Sequence, residues 1–326
     1  MSGDEPGSGA ASRVPVSGVP ASGARTSDAA ASVARTSDAA ASVAVVASDR
    51  VFAATRWVAA VIIPFLVAAA VLLYTFPTRS GELFAWPIDP PLSAYLLASA
   101  YVGGIWFFAG VVTARRWHRV ARGFPAVIVF AGLLLIATLL HLDRFSQNVS
   151  FFTWMVLYAT TPIAVAVLAF VQRREDPHVP DPVDVEVPRA ARIALAAIGI
   201  CAFCAGVFAF VAPAVAVDVW AWPLTPLTAR VTGAVLTLTG VVNVALLWDA
   251  RWSAFRLLFQ AQLVSLVAIA LSLVARREDL LADRPAAPLF VAMIVCALLA
   301  YGGLTLWCEL RLHRLRPARS MADATV

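Results

Sequence analysis

The chain has 326 residues, of which 61% are hydrophobic and only 14% charged, with a net charge of +5 and a mean hydropathy of +0.81. Soluble domains run about 45–50% apolar and about 25% charged, so a typical soluble enzyme, a disulfide-stapled secreted module and a disordered regulator are all excluded. The apolar residues come in blocks near membrane-spanning length rather than alternating, which predicts a helical multi-pass membrane protein and not a β-barrel. All 25 basic residues are arginine. They lie at span ends rather than on one face, so they report topology and nucleic acid is not an expected partner; the lipid bilayer is.

Residues 1–50 are Ala, Ser, Gly, Thr and Asp with scattered Arg, and ARTSDAAASV occurs at 24–33 and again at 34–43. Such a segment buries too little apolar surface to offset its ordering entropy, which predicts a disordered tail. It does not read as a signal peptide, because the first apolar block begins too late.

From Arg56 onward the periodicity predicts eight spans, at 57–76, 91–113, 124–142, 151–171, 190–212, 226–248, 254–274 and 287–308. Arginines 50, 56, 115, 116, 119, 122, 173, 174, 189, 192, 251, 256, 311, 314, 316 and 319 fall on one side; 79, 144, 230, 276, 277 and 284 fall on the other. The positive-inside rule then puts both termini in the cytoplasm, in a bacterial plasma membrane given the arginine, alanine and valine bias. Residues 172–189, with four prolines and five acids, read as an extended, solvated linker. It separates a first four-helix unit, 51–171, from a second, 190–309; a basic tail, 310–326, follows.

These two units look duplicated. PTRSGELFAWPIDP from Pro77 and PAVAVDVWAWPLTP from Pro213 share prolines, an acid (Glu82, Asp218) and an Ala-Trp-Pro triplet. Gly104 matches Gly240, Arg115 matches Arg251 and Asp143 matches Asp279 at the same separation. An even span number per unit predicts an all-α fold of two parallel repeats, related by a pseudo-twofold axis along the membrane normal.

Proline disfavours helix in the residue before it, so each Ala-Trp-Pro loop should be extended, with Trp86 and Trp222 in an interfacial aromatic belt. A functional reading makes the loops a rim over an outward-facing pocket, with Glu82, Asp89 and Asp218 at its edge. The third span ends in His141-Leu142-Asp143-Arg144. His141, Asp143 and Glu82 are candidates for acid–base or metal chemistry at that face; a helix-end histidine beside an Asp–Arg pair is the plainer reading. Deeper in the membrane, Asn243, Gln260 and Gln262 are candidate ligand or pore groups, or interhelical hydrogen bonds. No carboxylate sits at a midplane, which argues against a proton pump with a central acid. Cys201, Cys204, Cys296 and Cys308 read as small packing residues.

No P-loop, nucleophile elbow, zinc-protease or dinucleotide fingerprint occurs, a single membrane-proximal histidine cannot form a bis-histidine haem site, and no cofactor is expected. FAWPIDPP at 84–91, ATLLHLDRF at 137–145 and WAWPLTP at 220–226 resemble multi-pass proteins of GC-rich bacteria without an assigned activity. Three functions remain open at this point. One is a transporter or channel for a small molecule or ion, with a pocket between the repeats. The second is an outer-face enzyme, and the third a structural membrane subunit.

Overall fold

The computed structural model describes residues 48–323, with side chains through Leu315. The decapeptide repeat and the end of the basic tail lie outside these residues. Eight helices are long and apolar enough to cross a membrane: α1 (Ala53–Thr75), α2 (Pro91–Thr113), α3 (Phe124–Leu140), α4 (Val149–Gln172), α5 (Arg189–Val211), α6 (Pro226–Ala245), α7 (Trp252–Ala275) and α8 (Ala286–Asp323). The described chain is helical apart from its loops, as expected of an integral membrane protein whose backbone must satisfy itself in lipid.

Local chemistry starts these helices where they start. Pro91 and Pro226 occupy first-turn positions, where a missing N–H costs nothing. Thr225 accepts from Thr228 N at the head of α6, and Asn148 accepts from Phe151 N at the head of α4. At the other ends, Arg56 donates to the Ala114 carbonyl after α2, and Arg192 to the Leu246 and Leu247 carbonyls after α6.

Packing does not follow the order of the chain. α1 lies along α2, and α5 along α6; α3 lies along α4, and α7 along α8. The third helix of each half, however, packs on the second helix of the other half, α3 on α6 and α7 on α2. The helices therefore assemble as one group of α1, α2, α7 and α8 and another of α3 to α6. Contact between the groups is slighter, through α2 with α6, α1 with α4, α5 with α8 and the short helix His118–Ala121 with α7. α6 is the most buried span, which explains how it tolerates three threonines and an asparagine past its first turn.

Small residues set the closest approaches. A Cβ on Gly206 of α5 would lie 2.6 Å from the Gly233 carbonyl of α6, and one on Gly233 would meet the Gly206 carbonyl in turn. A Cβ on Gly103 of α2 would lie 2.8 Å from the Ala261 carbonyl of α7.

The linker differs from the expected solvated segment. Val185 and Val187 are buried, while Asp176 and Asp181 are buried among arginines. Val187 N donates to the Ala250 carbonyl and Trp252 N to the Val185 carbonyl, at 2.8 and 2.9 Å, so the strap lies against the α6–α7 turn. The prolines keep it extended, but alternating valines give it one apolar face to bury. Asp49 to Val51 runs similarly beside the α2–α3 turn, where Trp117 N donates to the Asp49 carbonyl at 3.0 Å.

Candidate functional site

The eight spans surround a central cavity of about 200 Å³, and each of them contributes to its wall. The lining is mostly Leu, Ile, Val, Ala and Phe, and no charged side chain belongs to it. Its polar members are Tyr101, Tyr158, Thr161, Thr239, Gln262, Ser265 and Tyr301.

Most of these groups are already satisfied. Tyr158 donates its hydroxyl to that of Tyr101 at 3.1 Å. Tyr301 donates to Asn243 Oδ1 at 2.6 Å, and Ser265 donates to the Ser99 carbonyl at 2.9 Å. Thr161, Thr239 and Gln262 are not: both Gln262 amide atoms are shielded from solvent, and their one polar neighbour is the Tyr301 hydroxyl, which is already committed to Asn243. An unpaired buried amide costs about 1–3 kcal/mol per group, so it marks where a guest with one polar group is best received. The cavity suits an uncharged, mainly apolar molecule; an apolar cavity of roughly 150 Å³ already admits benzene.

Asn243 takes the interhelical one of its two expected roles and ties helices together. Its Nδ2 donates to the Leu195 carbonyl of α5 at 2.9 Å while Oδ1 receives Tyr301 of α8. Gln260 faces away from the cavity and accepts from Trp106 Nε1 at 3.4 Å.

Trp86 and Trp222 form no rim and no interfacial belt: their relative exposures are 1% and 0%. Trp86 packs with Phe84, Phe145 and Trp154, and Trp222 with Trp220 and Phe290. Trp222 Nε1 donates to Ser93 Oγ at 2.9 Å. Burial wins over the interface because two or three aromatic partners are available to each ring.

The acids of the same face stay apart. Glu82 pairs with Arg79 at 2.8 Å and Asp143 with Arg144 at 3.1 Å, all four side chains exposed. Asp89 and Asp218 are exposed. Asp279 accepts from Leu92 N at 2.9 Å, capping the head of α2. His141 sits with Nδ1 3.2 Å from the Ala137 carbonyl and Nε2 2.9 Å from Arg230 Nη1, an arrangement that the Nδ1–H tautomer satisfies at both ends. No hydrogen bond or ion pair joins His141, Asp143 and Glu82, and no three His, Cys, Asp or Glu gather for a metal ion among the described residues.

The arginine-rich face carries a network that composition alone did not reveal. Arg251 bridges Asp176 and Asp249, and Arg122 reaches Asp249 at 2.8 Å. Arg116 and Arg119 converge on Asp181, and Asp49 Oδ2 meets His118 Nδ1 at 2.6 Å. Burial alone would raise the Asp249 pKa, but hydrogen bonds from Arg251 and the nearby Arg122 charge outweigh it and hold it at about 2. Asp176 and Asp181 are lowered by the same balance, burial being outweighed by Arg251 and Arg119 respectively. The available signal was the V-D-V-E-V alternation within the linker.

No family model, curated protein or solved structure matches this chain. The fold defines an integral membrane protein of eight helices, and its function has to be read from the site.

Proposed function

We propose that this protein is a permease-like carrier of an uncharged, mainly apolar small molecule held at the centre of its eight helices. The cavity carries the reading: every span walls it, no charge lines it, and Gln262 offers it an incompletely satisfied amide. Sites between helices of a bundle are where ligand pockets characteristically form. The slight contact between the two helix groups supports a carrier, which needs them to move relative to each other.

The reading includes a duplicated architecture with a pseudo-twofold axis through the cavity. It is supported by packing pairs that recur between halves: α1–α2 with α5–α6, α2–α7 with α6–α3, and α3–α4 with α7–α8. It is also supported by recurring side-chain sets. Phe84, Trp86 and Trp154 correspond at a constant 136-residue separation to Trp220, Trp222 and Phe290. Asp49 caps His118 N as Asp184 caps Ser253 N. The arginine distribution supports a cytoplasmic side for the network face, in a bacterial plasma membrane.

A photoactivatable alkyl diazirine alcohol of octanol size tests the cavity in the full chain reconstituted in nanodiscs. Adducts mapped by mass spectrometry are expected on Met293, Ile294 and Leu266, at least tenfold reduced by Ala131→Phe or Ala297→Phe. Adducts confined to outward residues such as Val156 and Leu299 would overturn the reading.

A further inference from the structure

A second hollow, of about 240 Å³, lies between α1 and α4. Four of its lining residues, Leu66, Tyr101, Leu157 and Tyr158, also line the central cavity. These four side chains are therefore a partition between two spaces, with one space on each side.

The hollow sits at a seam between the two helix groups, since α1 belongs to one and α4 to the other. These two helices touch each other only slightly, and their spanning windows are among the least buried of the eight. Its rim includes Phe65, 38% exposed, and Val149, 82% exposed. Phe65 lies midway along α1 and so faces hydrocarbon, whereas Val149, the first residue of α4, stands at the end of its span. Phe84 and Trp154, packed edge to face 5.5 Å apart, close its upper end beneath the Ala-Trp-Pro loop.

The partition is held by little. Across it runs one hydrogen bond, from the Tyr158 hydroxyl to the Tyr101 hydroxyl, and a neutral bond of this kind contributes about 1 kcal/mol net. Tyr101 keeps its own hydroxyl proton free to donate once a guest arrives. Beyond it stands the Gln262 amide, incompletely satisfied beside the Tyr301 hydroxyl. An entering chain would thus meet apolar walls, then a phenol donor, then an amide. No cationic side chain lines either space, so a phosphate headgroup gains nothing by following its chain inward.

We infer that the gap between α1 and α4 is a lateral portal through which the hydrocarbon chain of a bilayer lipid enters the central cavity, with the Tyr101–Tyr158 pair as its gate. The inference rests on the proposed binding role of that cavity and names the ligand's chemistry and route. The headgroup stays at the bilayer surface while the chain lies in the protein.

Two photoactivatable probes separate the route from the cavity. One is a phosphatidylcholine carrying a diazirine in its acyl chain, built into the nanodisc; the other is the free diazirine alcohol, which is smaller and has no headgroup to hold it at the bilayer surface. The portal predicts that the phospholipid labels Thr153 and Leu157 and, further in, Met293 and Ile294. Ala69→Trp, or Thr153→Trp as a second variant should the first fail to fold, narrows the portal. Either should cut phospholipid adducts on Met293 and Ile294 at least fivefold while the alcohol still labels them. Alcohol adducts in the cavity without phospholipid adducts would overturn the portal and leave the cavity reading standing. Phospholipid adducts there that neither tryptophan reduces would also overturn the portal. No adducts in the cavity from either probe would overturn both.

Discussion

Arg251 holds Asp176 with two parallel bonds, Nη1 to Oδ1 at 2.8 Å and Nη2 to Oδ2 at 2.9 Å, across 75 residues of chain. The same guanidinium bonds Asp249 through Nε and Nη2. A proline-rich strap is thereby fastened to the turn that joins the two helix groups.

Removing one partner of a buried pair costs roughly 3–5 kcal/mol because the other is left uncompensated. Asp176→Ala should fall at the low end, since Asp249 still faces Arg251. The strap should loosen before the spans do, and trypsin cleavage after Arg173 and Arg174 should rise roughly tenfold or more. Unchanged cleavage would mean that the strap is held by its buried valines alone.

Acid should act on the same contact. A carboxylate whose folded pKa lies below its unfolded value stabilises the fold above the unfolded pKa, and that stabilisation disappears as pH falls through the folded one. Asp249 is held at about 2 against an ordinary 3.8, and Asp176 and Asp181 are lowered too. Amide exchange at residues 173–188, corrected for intrinsic rates, should therefore show full protection above pH 4. It should lose that protection between pH 4 and pH 2. Protection that stays flat across this window would refute the assignment.

The α5–α6 contact predicts a graded response. Gly206→Ala and Gly233→Ala each push a methyl against a facing carbonyl, and overpacking of this kind costs about 1–3 kcal/mol. Gly302→Ala meets nothing within 4 Å and should be neutral or slightly stabilising, because alanine is the better helix former. Monodisperse recovery after stepped heating ranks the three. Equal loss in all three would show that helix propensity, not contact, sets the outcome.

Asn243 and Tyr301 should behave as a coupled pair. Tyr301→Phe strips Asn243 Oδ1 of its donor, and Asn243→Leu strips both Tyr301 and the Leu195 carbonyl. Residues sharing a hydrogen bond couple by about 0.5–3 kcal/mol. Heat-resistance measurements on both single variants and the double variant should give a non-additive result within that range, with an additive one indicating that the bond contributes nothing.

The eight spans were legible because each is a near-continuous apolar run; observed and expected ends differ by a few residues, except that α8 runs on as helix to Asp323, into the expected basic tail. The pairing of the acids was less legible. Glu82 and Asp143 each have an arginine within three positions, and that local partner prevailed over any distant histidine. Trp86 and Trp222 were visible as a repeated motif, but a tryptophan suits a lipid interface and an aromatic cluster equally, and only the neighbours decide. The linker misled because its prolines and acids outnumber its valines, while its burial depends on the alternation of the valines. Apart from Gln262, which stood out as an intramembrane amide, the cavity left no sequence signal, being walled by the same Leu, Ala and Phe that line any packed interface.

The exchange of third and fourth helices between the halves has a consequence for how the chain is made whole. Cut at the linker, the first half would be left holding α1–α2 with no α7 to lie against α2, and α3–α4 with no α6 beneath α3. The second half would be missing the reciprocal partners. Neither fragment contains either complete helix group, so each alone is a pair of hairpins with bare inner faces, and the two expressed together should find one another in the membrane. The protein is one continuous chain that behaves, in its packing, as an obligate pair.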